Sequence, residues 1–117
     1  MTEKLCRIEI PQRSGGLCER CGIGGGLSMH HRKKRSQGGP WSLDNIVHVC
    51  GHGTAGCHGW IEHNPNAAHS EGYHVRPWEE PSSIPIYQHH LGKFTHMNLL
   101  GGEYHRDVDL RDPWSDS

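Results

Sequence analysis

Apolar side chains are scarce in this chain. Hydrophobic residues fill 32% of its 117 positions, phenylalanine occurs once, and aromatics together reach 7%. A chain this short forms one domain at most, and one this poor in apolar surface needs metal or disulfide cross-links to supplement its core. No apolar run approaches the length of a membrane span, and residues 1–17 lack the apolar stretch of a secretory leader, so the expectation is a soluble, cytoplasmic protein with reduced cysteines. A strong charge of either sign is also missing. The net charge of -1 excludes a protein that coats nucleic acid through a global basic field.

What the chain does have is 12 His, 16 Gly, 7 Pro and 5 Cys. In a reducing compartment cysteine pairs favour zinc over disulfides. Cys18 and Cys21 form a C-x2-C pair followed by Gly22, the pattern of a zinc knuckle, in which a tight turn aims two thiolates at one ion. Cys50 and Cys57 form a wider C-x6-C pair across a Gly-rich spacer. Two separated pairs point to a structural four-cysteine zinc; disulfides or unrelated buried thiols are the competing readings. Cys6 is left over and reads as a small buried hydrophobe.

The charge that exists is uneven. Arg32-Lys33-Lys34-Arg35 form a basic run, while acidic residues gather at Glu79-Glu80 and from Asp107 to Asp116. A local basic patch suits a small nucleic-acid enzyme, whose cations hold phosphates without reading sequence, although a solvated charge run is an equally simple account of any one of the four. His52, His69, His89, His90, His96 and His105 read as ordinary surface polar residues.

Along the chain, Leu5–Ile10 alternates like a short edge strand ended by Pro11 and Ser14-Gly15-Gly16. Leu27–His31 reads as a strand, residues 32–42 as a polar loop, and Leu43–Val49 as the returning strand that delivers Cys50. Residues 51–56 are loop. Cys57–Asn64 spans about two turns of helix, and a second short helix follows with Asn64 as N-cap and Pro65 in its first turn. Tyr73–Arg76 suggests another strand, Pro77–Pro85 a connector, and Lys93–Leu100 with Glu103–Val108 a hairpin turning at Gly101-Gly102. Trp41 and Trp60 read as scaffold.

Adjacent residues of a strand point to opposite faces, so His30 and His31 serve different purposes, one facing a metal and the other a substrate phosphate. His58 and Glu62 share one helix face at i, i+4 and offer two more ligands to a divalent cation. Asn45 falls close enough to hydrogen-bond the ring of the second histidine and fix its tautomer.

Cys-x2-Cys, His-His, Asn and Cys-His-x3-Glu, in this order, resemble the HNH endonucleases, the ββα-metal or His-Me finger nucleases. The run from Val49 to Pro65 is similar to small zinc-stapled HNH proteins of tailed phages and prophages, and the likeness covers about residues 15–76. The implied architecture is a small α+β single domain over 1–117: a ββα-metal finger with a four-cysteine structural zinc, a following short helix, a C-terminal extension at 77–108 holding the β-hairpin, and a disordered acidic tail at 109–117.

The resemblance implies that His31 is the general base, Asn45 orients it through its ring N–H, and His30 and His58 hold the active-site cation. Glu62 stands where many members carry a final histidine; His63, at i, i+5 from His58, is the less suitable substitute. The implied activity is metal-dependent hydrolysis of DNA phosphodiester bonds to 5′-phosphate and 3′-hydroxyl ends, with structural Zn2+ and a catalytic Mg2+, Mn2+, Ni2+ or Zn2+. Duplex DNA is the implied partner, with phage terminase and other packaging proteins beyond it, in the cytoplasm of a bacterial host. A non-catalytic zinc-stapled module that binds DNA or protein would need the four cysteines but neither His31 nor Asn45, and an RNA-directed nuclease or toxin is a third reading.

Overall fold

The computed structural model describes residues 2–97 and the backbone of residues 104–105. Its centre is an antiparallel hairpin of β1 (Leu27–His31) and β2 (Ile46–Cys50), paired from Leu27↔Cys50 to His31↔Ile46. Helix α1 (Glu3–Ser14) and helix α2 (Gly56–His63) both pack on β2. That double cover explains why Ile46, Val47, His48 and Val49 are all buried. Strand alternation divides them: Ile46 joins Cys6, Ile10 and Leu43 on the α1 side, and Val47 and Val49 join Cys57, Ile61 and Tyr73 on the α2 side.

Helix α1 corrects the edge strand expected at Leu5–Ile10. Thr2 caps it, its hydroxyl accepting from Leu5 N at 3.2 Å, and Gly15 closes it at φ 66° with its N–H on Pro11 O at 2.9 Å. Pro11 lies inside the helix and forgoes one backbone hydrogen bond. The face that drives folding is Cys6, Ile10 and Arg13, at helical spacing. Alternation of Leu5, Cys6, Arg7 and Ile8 concealed it, because Leu5 and Ile8 remain exposed.

Arg13 ties α1 to the rest. Its guanidinium forms a bidentate pair with Glu19 at 2.7 Å and donates to Leu43 O at 2.6 Å and Ile46 O at 2.7 Å, while Glu19 also accepts from His48 N at 2.8 Å. Buried ion pairs hold only when the remaining donors and acceptors are satisfied, as these are.

Helix α3 (Pro65–Ser70) follows α2 with Pro65 in its first turn. Asn64 takes the N-cap position, but its side chain donates back to Trp60 O at 2.9 Å instead of capping. Tyr73–Arg76 is not a strand; the segment is irregular and is held by Val75 N on Arg32 O at 2.9 Å. The connector contains a single 3-10 turn at Pro81–Ser83, and after it β3 (Ile86–Gln88), not anticipated from sequence, pairs with β4 (Lys93–Met97). β4 also pairs with β5 (Tyr104–His105). Ile86 and Met97 pack into the same core as Val47 and Ile61, so β3 and β4 close the open side of the finger. The turn expected at Gly101-Gly102 and the acidic tail lie outside the described residues.

Candidate metal centres and nuclease site

Two clusters of ligand-type side chains are built on the β1–β2 hairpin and α2, and they adjoin at Cys57 and His58. In the first, the Sγ atoms of Cys18, Cys21, Cys50 and Cys57 lie within 4.8 Å of one another. Cys21 Sγ and Cys50 Sγ are 3.8 Å apart, the edge of a tetrahedron whose corners lie about 2.3 Å from its centre, the usual Zn–S distance. The backbone builds this arrangement. Gly22 N donates to Cys18 O at 2.8 Å and closes the knuckle, Cys21 N points at Cys18 Sγ at 3.4 Å, and Cys57 N at Cys50 Sγ at 3.3 Å. Gly51 permits the return of the second pair: at φ 83°, a Cβ there would meet Ala55 O at 2.0 Å. The four sulfurs fit a structural zinc in number, type and spacing.

Arg20 completes this centre and was not singled out from sequence. Its Nη1 donates to Cys57 Sγ at 3.3 Å, its Nε to Glu71 at 2.9 Å, and its guanidinium lies over the Trp60 ring at 3.9 Å. One side chain thus joins the knuckle, α2 and the end of α3. The Cys18 thiol is pulled down, chiefly by a hydrogen bond from Cys57 and against the opposing effect of burial, while the same hydrogen bond pushes the Cys57 thiol up. The thiolate is the form that binds metal.

The second cluster is His30, His58 and Glu62, with one ligand atom from each within 4.8 Å of the others. His30 is buried, and its Nε2 donates to Tyr73 O at 2.7 Å, which leaves Nδ1 unprotonated, 3.8 Å from Glu62 Oε1. His58 is fixed by Ser28, whose hydroxyl donates to Gly51 O at 2.8 Å and therefore accepts from His58 Nδ1 at 2.7 Å. The lone pair of His58 is left on Nε2. The His30 and His58 rings meet edge-on with centroids 5.3 Å apart. Burial pushes His30 down to about 3 and lowers His58, so both rings are neutral and able to ligate at neutral pH. Two imidazoles and a carboxylate suit a divalent cation. His63, beside Glu62, is exposed and outside this cluster.

His31 leaves β1 on the opposite face from His30. Its ring stands edge-on to Trp41 at 4.5 Å, with Nε2 buried and without a hydrogen-bond partner. Burial lowers its pKa, the nearby Arg35 lowers it further, and Glu3 opposes both. Arg7 of α1 lies over the same Trp41 ring at 5.2 Å. Trp41 is therefore part of the surroundings of His31 and not only scaffold.

Two expected roles need correction. Asn45 is buried, and its amide bonds backbone, not the His31 ring: Oδ1 accepts from Lys33 N at 2.8 Å, and Nδ2 donates to Lys33 O at 3.1 Å and Pro40 O at 3.0 Å. It pins both ends of the loop that follows β1. Arg32, expected among the DNA contacts, is fully buried and donates to the carbonyls of Gly72, Asp44, Pro81 and Ile84. Only Lys33, Lys34 and Arg35 of the basic run reach toward solvent, and Lys33 does so in part.

His74, also not singled out from sequence, braces the cluster: Nε2 donates to Ile61 O at 3.0 Å and its ring meets His30 edge-on at 5.5 Å. No local motif marks Ser28, Trp41, His74 or Arg20, since each acts through a partner distant in sequence.

No curated protein and no solved structure gives a significant match to the chain. Residues 18–60, which carry the cysteine knuckle, both strands, Asn45 and His58, match the family described as HNH endonuclease. The ββα-metal architecture of that family fits the two strands and helix seen here, and the match extends over the segment from Cys18 to Trp60.

Proposed function

We propose that this protein is a metal-dependent endonuclease that hydrolyses phosphodiester bonds of duplex DNA. The observation that carries the reading is the convergence of His30, His58 and Glu62, with both imidazoles held in the ligating tautomer, on a hairpin that also ends in His31. Zinc stapling alone explains none of these four residues.

His30 Nδ1, His58 Nε2 and Glu62 would hold a divalent cation, which when bound would supply Lewis-acid stabilisation of negative charge on the phosphate and the leaving 3′ oxygen. The chain's own residues do the rest. His31 takes the proton from the attacking water; with Nε2 buried against Trp41, Nδ1 is the atom available to accept it. A depressed pKa keeps the ring neutral and ready as a base at neutral pH. Asn45 holds the loop after β1, which presents Lys34 and Arg35 to flanking phosphates. The products are a 5′-phosphate and a 3′-hydroxyl. Ser28 and Tyr73 O fix the ligand rings, so that little reorganisation is left for the reaction itself. A place in phage DNA packaging beside a terminase rests on the likeness of the Val49–Pro65 run alone.

The test is cleavage of supercoiled plasmid with Mg2+, Mn2+, Ni2+ or Zn2+, and with EDTA, by wild type and His31→Ala. Nicked or linear product from wild type, absent with EDTA and absent from the folded variant, is the expected result. Equal cleavage by both proteins removes His31 as the base; no cleavage under any metal favours the zinc-stapled binding module.

A further inference from the structure

Beside the His30–His58–Glu62 cluster a hollow opens between three separate stretches of chain. The loop after β1 contributes Lys34 and Gln37, α3 contributes Asn66 and His69, and the irregular segment after α3 contributes His74 and Arg76. His74 belongs to both sites, since its ring lines the hollow and also meets the His30 ring at 5.5 Å. The hollow therefore begins one side chain away from a residue of the ligand cluster.

The chemistry of its walls is selective. Lys34 and Arg76 bring two cations from segments far apart in sequence, and Gln37 and Asn66 bring two amides. Glu79, beside the hollow, accepts from His69 Nε2 at 3.0 Å and from Arg76 N at 2.7 Å. Glu79 N donates in turn to Arg76 O at 2.9 Å, which closes the turn that carries Arg76. Glu62 does not line the hollow and groups with His30 and His58. A concave site with two cations, amide donors and an internally bonded carboxylate takes an anion with several oxygens.

We propose that this hollow is a subsite for the backbone phosphate of the nucleotide adjoining the scissile bond, held by Lys34 and Arg76 and hydrogen-bonded by Gln37 and Asn66. The inference rests on the nuclease reading for the identity of the strand that enters. Contacts of this kind fix register on the duplex and carry no base information. They assign Lys34 a partner that the basic run alone does not specify, and they bring in Arg76, which lies outside both the run and the matched segment.

Binding and cleavage are measured separately so that the two readings can fail separately. Binding uses a fluorescein-labelled duplex without added divalent cation, followed by anisotropy between about 50 and 200 mM salt, where each lost phosphate contact lowers the slope of log K on log salt by about 0.9. The Lys34→Gln/Arg76→Gln protein is expected to show a slope smaller by about two and affinity roughly tenfold weaker at the low-salt end. A charge-matched control, Lys4→Gln/Lys93→Gln, is expected to keep the wild-type slope, and thermal melts confirm that both variants fold. Equal slopes for wild type and the Lys34/Arg76 variant, equal losses in both double variants, or no duplex binding by wild type would each overturn the subsite. Plasmid cleavage with metal then judges the nuclease reading: cleavage with an unchanged slope sinks the subsite alone, whereas a reduced slope without cleavage by wild type sinks the nuclease and keeps Lys34 and Arg76 only as a backbone-phosphate contact, with no scissile bond beside it.

Discussion

Asn45 grips the backbone of Lys33 from both sides, accepting from its N–H at 2.8 Å and donating to its carbonyl at 3.1 Å. A third bond, to Pro40 O at 3.0 Å, reaches the far end of the same loop. The amide thus continues the pairing beyond the last backbone bond of the hairpin, Arg32 N to Asn45 O at 2.8 Å. Asn45→Ala takes a hydrogen-bond partner from these part-buried backbone groups, and each such loss costs about 0.5–1.5 kcal/mol. Urea melts should therefore show a drop in that range or above it. Trypsin should cut sooner at Lys33, Lys34 and Arg35, and plasmid cleavage should fall with the freed loop. A variant that loses cleavage while keeping stability and tryptic resistance would instead point to direct contact with the reacting groups.

Arg32 gives a sharper separation between structure and substrate binding. Its guanidinium spans four carbonyls from three segments: Gly72, Asp44, and Pro81 with Ile84. A lysine carries a point charge on a flexible stem and cannot reproduce that fork. Arg32→Lys is therefore expected to lower stability by about 3 kcal/mol or more, since a buried charge loses its fixed partners. Lys34→Gln is expected to leave the melt unchanged and weaken DNA binding. Equilibrium unfolding of the two variants side by side checks the contrast.

The sequence exposed those parts of the fold whose signals are local. The knuckle turn at Cys18–Cys21, the strand before His31, and the helix that places His58 and Glu62 on one face all follow from spacings of a few residues. Helix α1 did not, because its buried face includes Arg13, which sequence hydropathy counts as polar and which is buried only by pairing with Glu19. Arg32 misled for the same reason in reverse: a charge run looks solvated until four carbonyls from distant segments converge on its first member. The role of Asn45 was placed one partner away from the real one, since nothing local distinguishes a ring nitrogen from a loop carbonyl. Strand β3 lacked any signal of its own and exists because β4 and the Tyr73 hydroxyl, which donates to Tyr87 O at 2.6 Å, hold it.

Metal removal should unfold the domain and not merely silence it. The four sulfurs join the knuckle, the end of β2 and the start of α2, and the core around them is small. For such sites the binding free energy of zinc is folding free energy. Cys18→Ser/Cys21→Ser, or wild type after exhaustive chelation, should lose its cooperative thermal transition, and intact protein should carry one tightly held zinc by elemental analysis. A cooperative melt in the double variant would refute the staple.

Trp41 should matter to catalysis through His31. Its ring holds the His31 imidazole edge-on at 4.5 Å and is itself covered by Arg7. Trp41→Phe keeps an aromatic face and should retain most activity, whereas Trp41→Ala frees the ring and should lower kcat by about tenfold or more, the scale at which misplacement of a reacting group is felt. KM should change little. Equal losses in both variants would mean that Trp41 acts only through the stability of the fold.

The pH dependence follows from the buried rings, and its sign is fixed by which state binds the proton. Burial pushes His30 down to about 3 and also lowers His58 and His74, against an ordinary value of 6.5. Between those limits the unfolded chain binds protons that the folded chain does not, so acid favours unfolding. Stability from these groups is therefore intact above about pH 6.5 and is lost progressively as the pH falls below it. Thermal melts should show a Tm that is flat above neutrality and falls from there to pH 5. Activity should follow a related course for a different reason: His31 must be neutral to take a proton, and burial together with Arg35 lowers its pKa. The rising limb of the pH–rate profile should then have its midpoint below 6.5. Removing one lowering charge with Arg35→Gln should move that midpoint upward, and a midpoint unmoved by this change would place the rate-controlling proton on another group.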